Sequence, residues 1–368
     1  MAVKLKSSFL FRQFLITLIC TLFIIFKAQS AEVHEFYNGI RSLGMGGAAI
    51  AVVNDETALI VNPAALGKLR DPFVTVVDPE LELSANNDSI FSTSYLAALD
   101  PQAAMDKLKL TPARHGRFKM QLFPSLVLPN FGMGFLGKFR ADGETNAAAT
   151  TLDWQYENDY AFIFGFNFRM FDGRLKLGFN TKIINRIEYS NAAIPIVASG
   201  TTLTSLGAKE GLGIGADVGI ILTGPWKTLP TLSVLVRDVG HTRFNFQSGL
   251  FLSAAERPTT LGQKVDVGLA MFPIMGKRKR ASITLEVRDA LNLSTETDPA
   301  KLYHAGFEMN FFDALFLRAG MNQRYWTAGF EMAVKNYQFQ LASYGEEVGT
   351  AATNKEDRRY VLKFAYRF

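Results

Sequence analysis

Residues 151–174 read TLDWQYENDYAFIFGFNFRMFDGR, and their period is two. Leu152, Trp154, Tyr156, Tyr160, Phe162, Phe164, Phe166 and Phe168 fall on one side of an extended chain. Asp153, Gln155, Glu157, Asp159, Asn167 and Arg169 fall on the other. Such alternation marks a β-strand with one apolar face. Asp172-Gly173 supplies a tight hairpin turn. The partner strand sets Leu175, Leu177, Phe179, Ile183, Ile187 and Tyr189 against Lys176, Asn180, Lys182, Arg186 and Glu188. In a soluble sandwich the apolar face would meet a core. These strands are near twenty residues long, whereas soluble strands usually span about 3–10, and the charged faces suit a wet lumen. A crossing needs only about 9–11 residues, so the hairpin is expected to span a membrane and project beyond it.

The same pattern recurs at 73–84, 117–128, 130–140, 209–222, 230–246, 262–273, 280–291, 301–311, 314–323, 325–334, 335–344 and 357–368. With 150–170 and 173–190 the total is fourteen, an even number as bacterial barrels have. Short links such as Pro129-Asn130, Asp172-Gly173 and Phe312-Asp313 alternate with long ones such as 85–116, 191–208 and 247–261. That asymmetry is expected of periplasmic turns and outer loops. The fold class read here is all-β: a transmembrane antiparallel β-barrel of about fourteen strands.

The two ends agree. Lys4, Lys6 and Arg12 precede an apolar run from Phe14 to Phe26, and Ala28-Gln29-Ser30 offers small residues for cleavage before Ala31. Residues 1–30 are therefore expected to be a signal peptide, since the apolar run is short for an anchor helix. The leader contains the sole cysteine, Cys20, so no disulfide or thiolate chemistry is expected of the remainder. Removing it leaves 35 basic against 34 acidic residues, and nothing in that balance points to nucleic acid. At the other end Tyr360, Leu362, Phe364, Tyr366 and Phe368 alternate with Val361, Lys363, Ala365 and Arg367. This resembles the C-terminal signal read by the outer-membrane barrel assembly machinery.

Arg41 to Leu66, RSLGMGGAAIAVVNDETALIVNPAAL, is unlike the rest. Gly44, Gly46 and Gly47 allow sharp turns and close backbone approach. Asn62 before Pro63 reads as an N-cap with proline at the first helical position. The stretch has the look of a compact plug. It resembles the N-terminal hatch of the FadL-like outer-membrane transport family and its PorV-like and TraF-like relatives. Gly44, Gly46, Gly47, Ala48, Asp55, Asn62, Pro63, Ala64 and Leu66 fall on that pattern, and Ala65 departs where glycine is usual. The resemblance implies a hatch over 31–70 inside a barrel over 71–368. It also implies a monomer in outer-membrane lipid and lipopolysaccharide, carrying a hydrophobic small molecule such as a fatty acid. Tyr303 to Ala328 is closer to the PorV-like branch, for which a docking or shuttle role in secretion is the alternative.

Other chemistry has little support. Gly211, Gly213, Gly215 and Asp217 share a face of one strand, and the period-two context excludes a dinucleotide fingerprint. The missing side chains are expected to make lumen room for the plug. Inward candidates Lys264, Asp266, Glu286, Arg288, Glu308, Arg318, Glu331, Lys363 and Arg367 have mixed signs, which favours ion-pair ladders over a selective ring. The four histidines are scattered, so no metal or cofactor is expected. A lipid hydrolase needs Ser, His and an acid together. His241, Ser248 and Glu256 are the nearest approach to that set, and a non-enzyme is the reading preferred. The helix expected after Asp100-Pro101 would either cap the mouth or pack on the rim.

Overall fold

The computed structural model describes residues 32–86, 101–108, 110–195, 203–252, 254–276, 278–349 and 353–368. The expected leader, 1–30, lies outside them. In chain order the strands are β1 (Phe73–Val77), β2 (Glu80–Ser84), β3 (Gly116–Leu122), β4 (Ser125–Leu128), β5 (Phe131–Thr145), β6 (Thr151–Met170), β7 (Leu175–Pro195) and β8 (Lys209–Thr223). They continue as β9 (Thr231–Arg237), β10 (Lys264–Met271), β11 (Lys279–Val287), β12 (Tyr303–Phe311), β13 (Leu315–Asn322), β14 (Tyr325–Val334), β15 (Tyr337–Glu347) and β16 (Glu356–Arg367).

All neighbours pair antiparallel. The circuit closes because β16 pairs with both β1 and β2, while β5 pairs with β3, β4 and β6. Sixteen segments make fourteen wall strands, because β1 with β2 and β3 with β4 are the halves of two interrupted strands. The interruptions fall at Asp78-Pro79 and Phe123-Pro124. Proline has no N–H to give a ladder. The displaced Asp78 and Phe123 turn inward, and Asp78 Oδ1 accepts a bond from the Phe123 N–H at 2.5 Å. Closure leaves no free sheet edge.

Faces follow the alternation. Phe162, Phe164, Phe166, Phe168, Ile214, Leu269 and Leu285 are exposed on the outside, where lipid takes the place of a core. Higher on the same face Leu152, Trp154 and Tyr156 are buried. They join Phe118, Ile187, Tyr189 and Leu108 in a satellite cluster. Leu108 ends the helix Pro101–Leu108, so this end of the helix packs on the rim of the projecting strands.

One strand is shorter than its alternation predicts. The seventh is expected over 230–246, but β9 stops at Arg237. Asp238 and His241 take left-handed backbone (φ +49° and +68°) and turn the chain away. Thr242, Arg243 and Phe244 then cross the inner face of β8, and Gln247 rejoins its edge opposite Leu212.

Candidate functional site

Residues 32–70 are where wall and chain interior meet. A short helix Ile40–Gly44, a second Ala58–Val61 and a 3-10 turn Pro63–Lys68 carry the segment. Asn62 caps the last of these: its Oδ1 accepts from the Ala64 N–H at 3.0 Å, with Pro63 at the first position. Ala48, Asn62, Ala64 and Leu66 have no exposed surface, and Pro63 is also buried.

Backbone polar groups of this segment are satisfied by the wall. The Gly46 N–H donates to Thr327 Oγ1 at 2.9 Å, and Thr327 donates to Gly44 O at 3.0 Å. His304 Nδ1 donates to Gly46 O at 2.8 Å, and Arg288 donates to Gly47 O at 2.5 Å. Glu286 Oε2 accepts from the N–H groups of Ala49 and Ile50, at 2.7 and 3.0 Å. Asn62 Nδ2 reaches Ile50 O and Ser233 Oγ, both at 2.8 Å. Asn167 and Asn180 donate to Ala64 O and Leu59 O. An unpaired buried N–H or C=O costs about 1–3 kcal/mol, so these wall residues hold the segment in one register.

Close approach is arranged by glycines on both partners. Gly44 faces Gly329, and a Cβ added to either would lie 3.1 Å from the other's Cα. Gly46 fits between β12 and β13, against Ala305, Met321 and Gly320. Gly178 lies against Pro63 and Ala64, Gly219 against Asn62 and Ala64, and Gly306 against Met45. Gly211, Gly213 and Gly215 do face inward, but their space is filled by Phe244, Arg243 and Thr242 rather than by the segment. The reason is local. Once β9 ends early, its own following chain is the nearest backbone able to cover that side of β8. Asp217 pairs with Lys182 at 2.7 Å.

Below this seam lies an apolar core. Ile50, Leu59, Ile60 and Leu66 of the segment pack with Phe123, Leu136, Ile163, Ile184, Ile221 and Leu235 of the wall. Around it the contacts are ionic. Glu32 meets Arg359 at 2.7 Å and Arg117 at 3.1 Å. Glu35 meets Lys264 at 3.4 Å and Arg237 at 3.5 Å. Arg41 bridges Asp55 at 2.6 Å and Glu308 at 2.8 Å, and Arg318 continues from Glu308 to Glu331. Glu56 meets Arg367 at 3.2 Å and Lys363 at 3.8 Å. Burial alone would raise the Asp55 carboxyl, but Arg41 and two bonds from Thr57 outweigh it and hold it at about 2. Burial and the Asp55 charge do raise Glu56, despite Lys363 and Arg367. Such buried pairs specify position more than they add stability, although removing one partner is costly.

At the lower end Lys68 donates to Ala51 O at 2.6 Å and lies over the Phe272 ring. Burial, followed by repulsion from Lys176 and Arg41, lowers its ammonium to about 7. The seated form therefore holds the proton less tightly than an extended chain. The lysine's contribution to stability should be flat below about pH 7 and rise between about 7 and 10, as the extended chain's lysine alone stays charged. Denaturant midpoints across that range should show the rise in the parent chain and lose it in Lys68→Met. Equal slopes would remove Lys68 from this role.

Three other groupings have their own places in the fold. His241 is exposed and past the end of β9, its Nδ1 accepts from the Gln263 N–H, and Glu256 pairs with Lys209. No hydrogen bond joins His241, Ser248 and Glu256 among the described residues. Glu32, His115 and Asp142 bring ligand atoms within 4.8 Å of one another, a grouping that histidine spacing did not suggest. Both carboxylates are already engaged by Arg117, and Arg359 and Arg140 stand beside them, so the group belongs to the ion-pair ladder. Tyr360, Leu362, Phe364 and Phe368 are exposed on the outer face of the last strand, where the Tyr366 ring packs at a tilt against Tyr337 with centroids 5.2 Å apart.

No family model matches the chain, and no curated protein matches it. Solved structures do. The Pseudomonas putida toluene transporter TodX superposes with a TM-score of 0.53 at 14% identity, over 90% of this chain and 98% of its own. A FadL homologue from Pseudomonas aeruginosa gives 0.51 at 11%, over 92% and 99%. The monoaromatic hydrocarbon channel CymD gives 0.51 at 9%, over 89% and 96%. At these identities the likeness is one of fold, a closed antiparallel β-barrel.

Proposed function

We propose that the barrel is an outer-membrane channel for hydrophobic small molecules and that residues 31–70 act as its hatch. The observation that carries this reading is the filled lumen. Cavities bordering the segment measure about 40, 30 and 50 Å³, whereas a cavity of roughly 150 Å³ is needed to admit a benzene ring. Cavities this small favour passage by a shift of the segment, and a small inserted element can shift while the wall ladder stays intact. Hydrophobic solutes cross a lipopolysaccharide layer poorly, and apolar burial favours their capture by a protein path. The solved neighbours described as toluene and monoaromatic hydrocarbon channels support this substrate class.

The test is uptake of toluene, alkylbenzenes and long-chain fatty acids by a deletion strain and its complemented parent. Complementation should restore uptake of at least one compound. Unchanged uptake across the panel would overturn the transport reading, and a stoichiometric secreted protein in detergent pull-downs would favour the docking role instead.

A further inference from the structure

We infer that the outer wall carries a binding site for an anionic phospholipid of the inner leaflet. An apolar groove of about 680 Å³ lies at the short-turn ends of β7 to β11, within the roughly 300–1,000 Å³ of small-molecule sites. Leu222, Leu232, Leu269, Met271, Ile283 and Leu285 line it, and all are exposed. They point away from the lumen, because their strand neighbours Ser233 and Glu286 are the residues that bond the inserted segment. The groove therefore opens to lipid. Short turns mark the periplasmic side, so the lipid is that of the inner leaflet.

The rim selects the headgroup. Phe171 and Trp226 stand exposed at its edge, where aromatic residues favour the interface. Arg174 also lines the groove. Lys227 and Arg278 lie in the two flanking turns, and Asp172 is the only acid in the turns 171–174, 224–230 and 273–278. Among the described residues, none of Arg174, Lys227 and Arg278 makes a salt bridge. Unpaired cations above an apolar groove fit a phosphodiester carrying net negative charge on acyl chains. A zwitterionic headgroup brings its own ammonium against the same cations.

The site depends on how the barrel sits in its membrane, not on what it conducts, so failed hydrocarbon uptake leaves it standing. Purified full-length barrel, delipidated in detergent, would be titrated with dioleoyl phosphatidylglycerol, dioleoyl phosphatidylethanolamine and glycerol 3-phosphate, with bound species read by native mass spectrometry. Phosphatidylglycerol should bind about fivefold or more tighter than phosphatidylethanolamine, as one cation near an anionic surface provides. Glycerol 3-phosphate should not bind. Arg174→Gln should erase the preference, and Leu269→Trp should weaken both lipids by filling the groove. Heat-modified migration checks folding, and Lys227→Gln replaces Arg174→Gln if the latter does not fold. Equal binding of the two lipids, retention unchanged by both substitutions, or binding of glycerol 3-phosphate alone would overturn the site.

Discussion

Gly46→Val should unseat the N-terminal segment, at a cost of roughly 2–5 kcal/mol. Two penalties add. Gly46 sits at φ +66°, where an L-residue pays about 1–2 kcal/mol. A side chain there would also meet Met321 O at 2.5 Å and, closer still, Ala305 O. Overpacking typically costs about 1–3 kcal/mol, and these neighbours are ladder backbone that cannot give way without breaking β12 from β13. The expected result is a barrel that retains heat-modified migration but conducts ions continuously in planar bilayers. Gly47 makes an internal control. It is also left-handed, but its neighbours are the side chains of His304, Arg288 and Asn322, which can move, so Gly47→Val should leak less. A Gly46→Val barrel with parental conductance and parental denaturant midpoint would show that the segment does not depend on this contact.

Glu286→Ala should produce the second large effect through chemistry rather than sterics. One carboxylate oxygen holds two backbone N–H groups, those of Ala49 and Ile50, and the other faces Arg288 at 3.3 Å. Alanine leaves both donors buried and unpaired and removes the carboxylate beside Arg288, which keeps only its bond to Gly47 O. At about 1–3 kcal/mol for each orphaned group, a loss near 3 kcal/mol raises the unseated population on the order of a hundredfold. Channel-open probability should rise accordingly, and protease access to residues 40–53 should rise with it. Glu286→Gln keeps one acceptor oxygen and should lie between the two. Parental open probability in the alanine variant would mean that the turn is held from elsewhere.

Much of the wall is legible because alternation encodes which face a residue takes. The hairpin of β6 and β7, the even strand count and the outward Phe-rich band all follow from period two. Asn62-Pro63 announces its capped turn through local chemistry. Two features resist reading. The charged strand faces lead to the expectation of a wet lumen, yet Ile163, Ile184, Ile221 and Leu235 face inward to meet the segment. In sequence these residues look like ordinary breaks in alternation. The glycine face of β8 is expected to accommodate the segment, but the chain after β9 fills most of it, since left-handed turns at Asp238 and His241 leave no periodic signature.

Residue order along the chain suffices to dictate a closed antiparallel wall, the side each strand presents to lipid, and a glycine-rich element that could not be a wall strand. Those properties depend on neighbours a few residues apart. Which wall residues grip that element is settled only in the folded barrel. Glu286 meets Ala49 across 237 positions and Thr327 meets Gly46 across 281. Such partners are fixed by strand register and by the stagger of a closed barrel. A one-residue slip of register would replace every one of them while shifting each strand's pattern only to the opposite face.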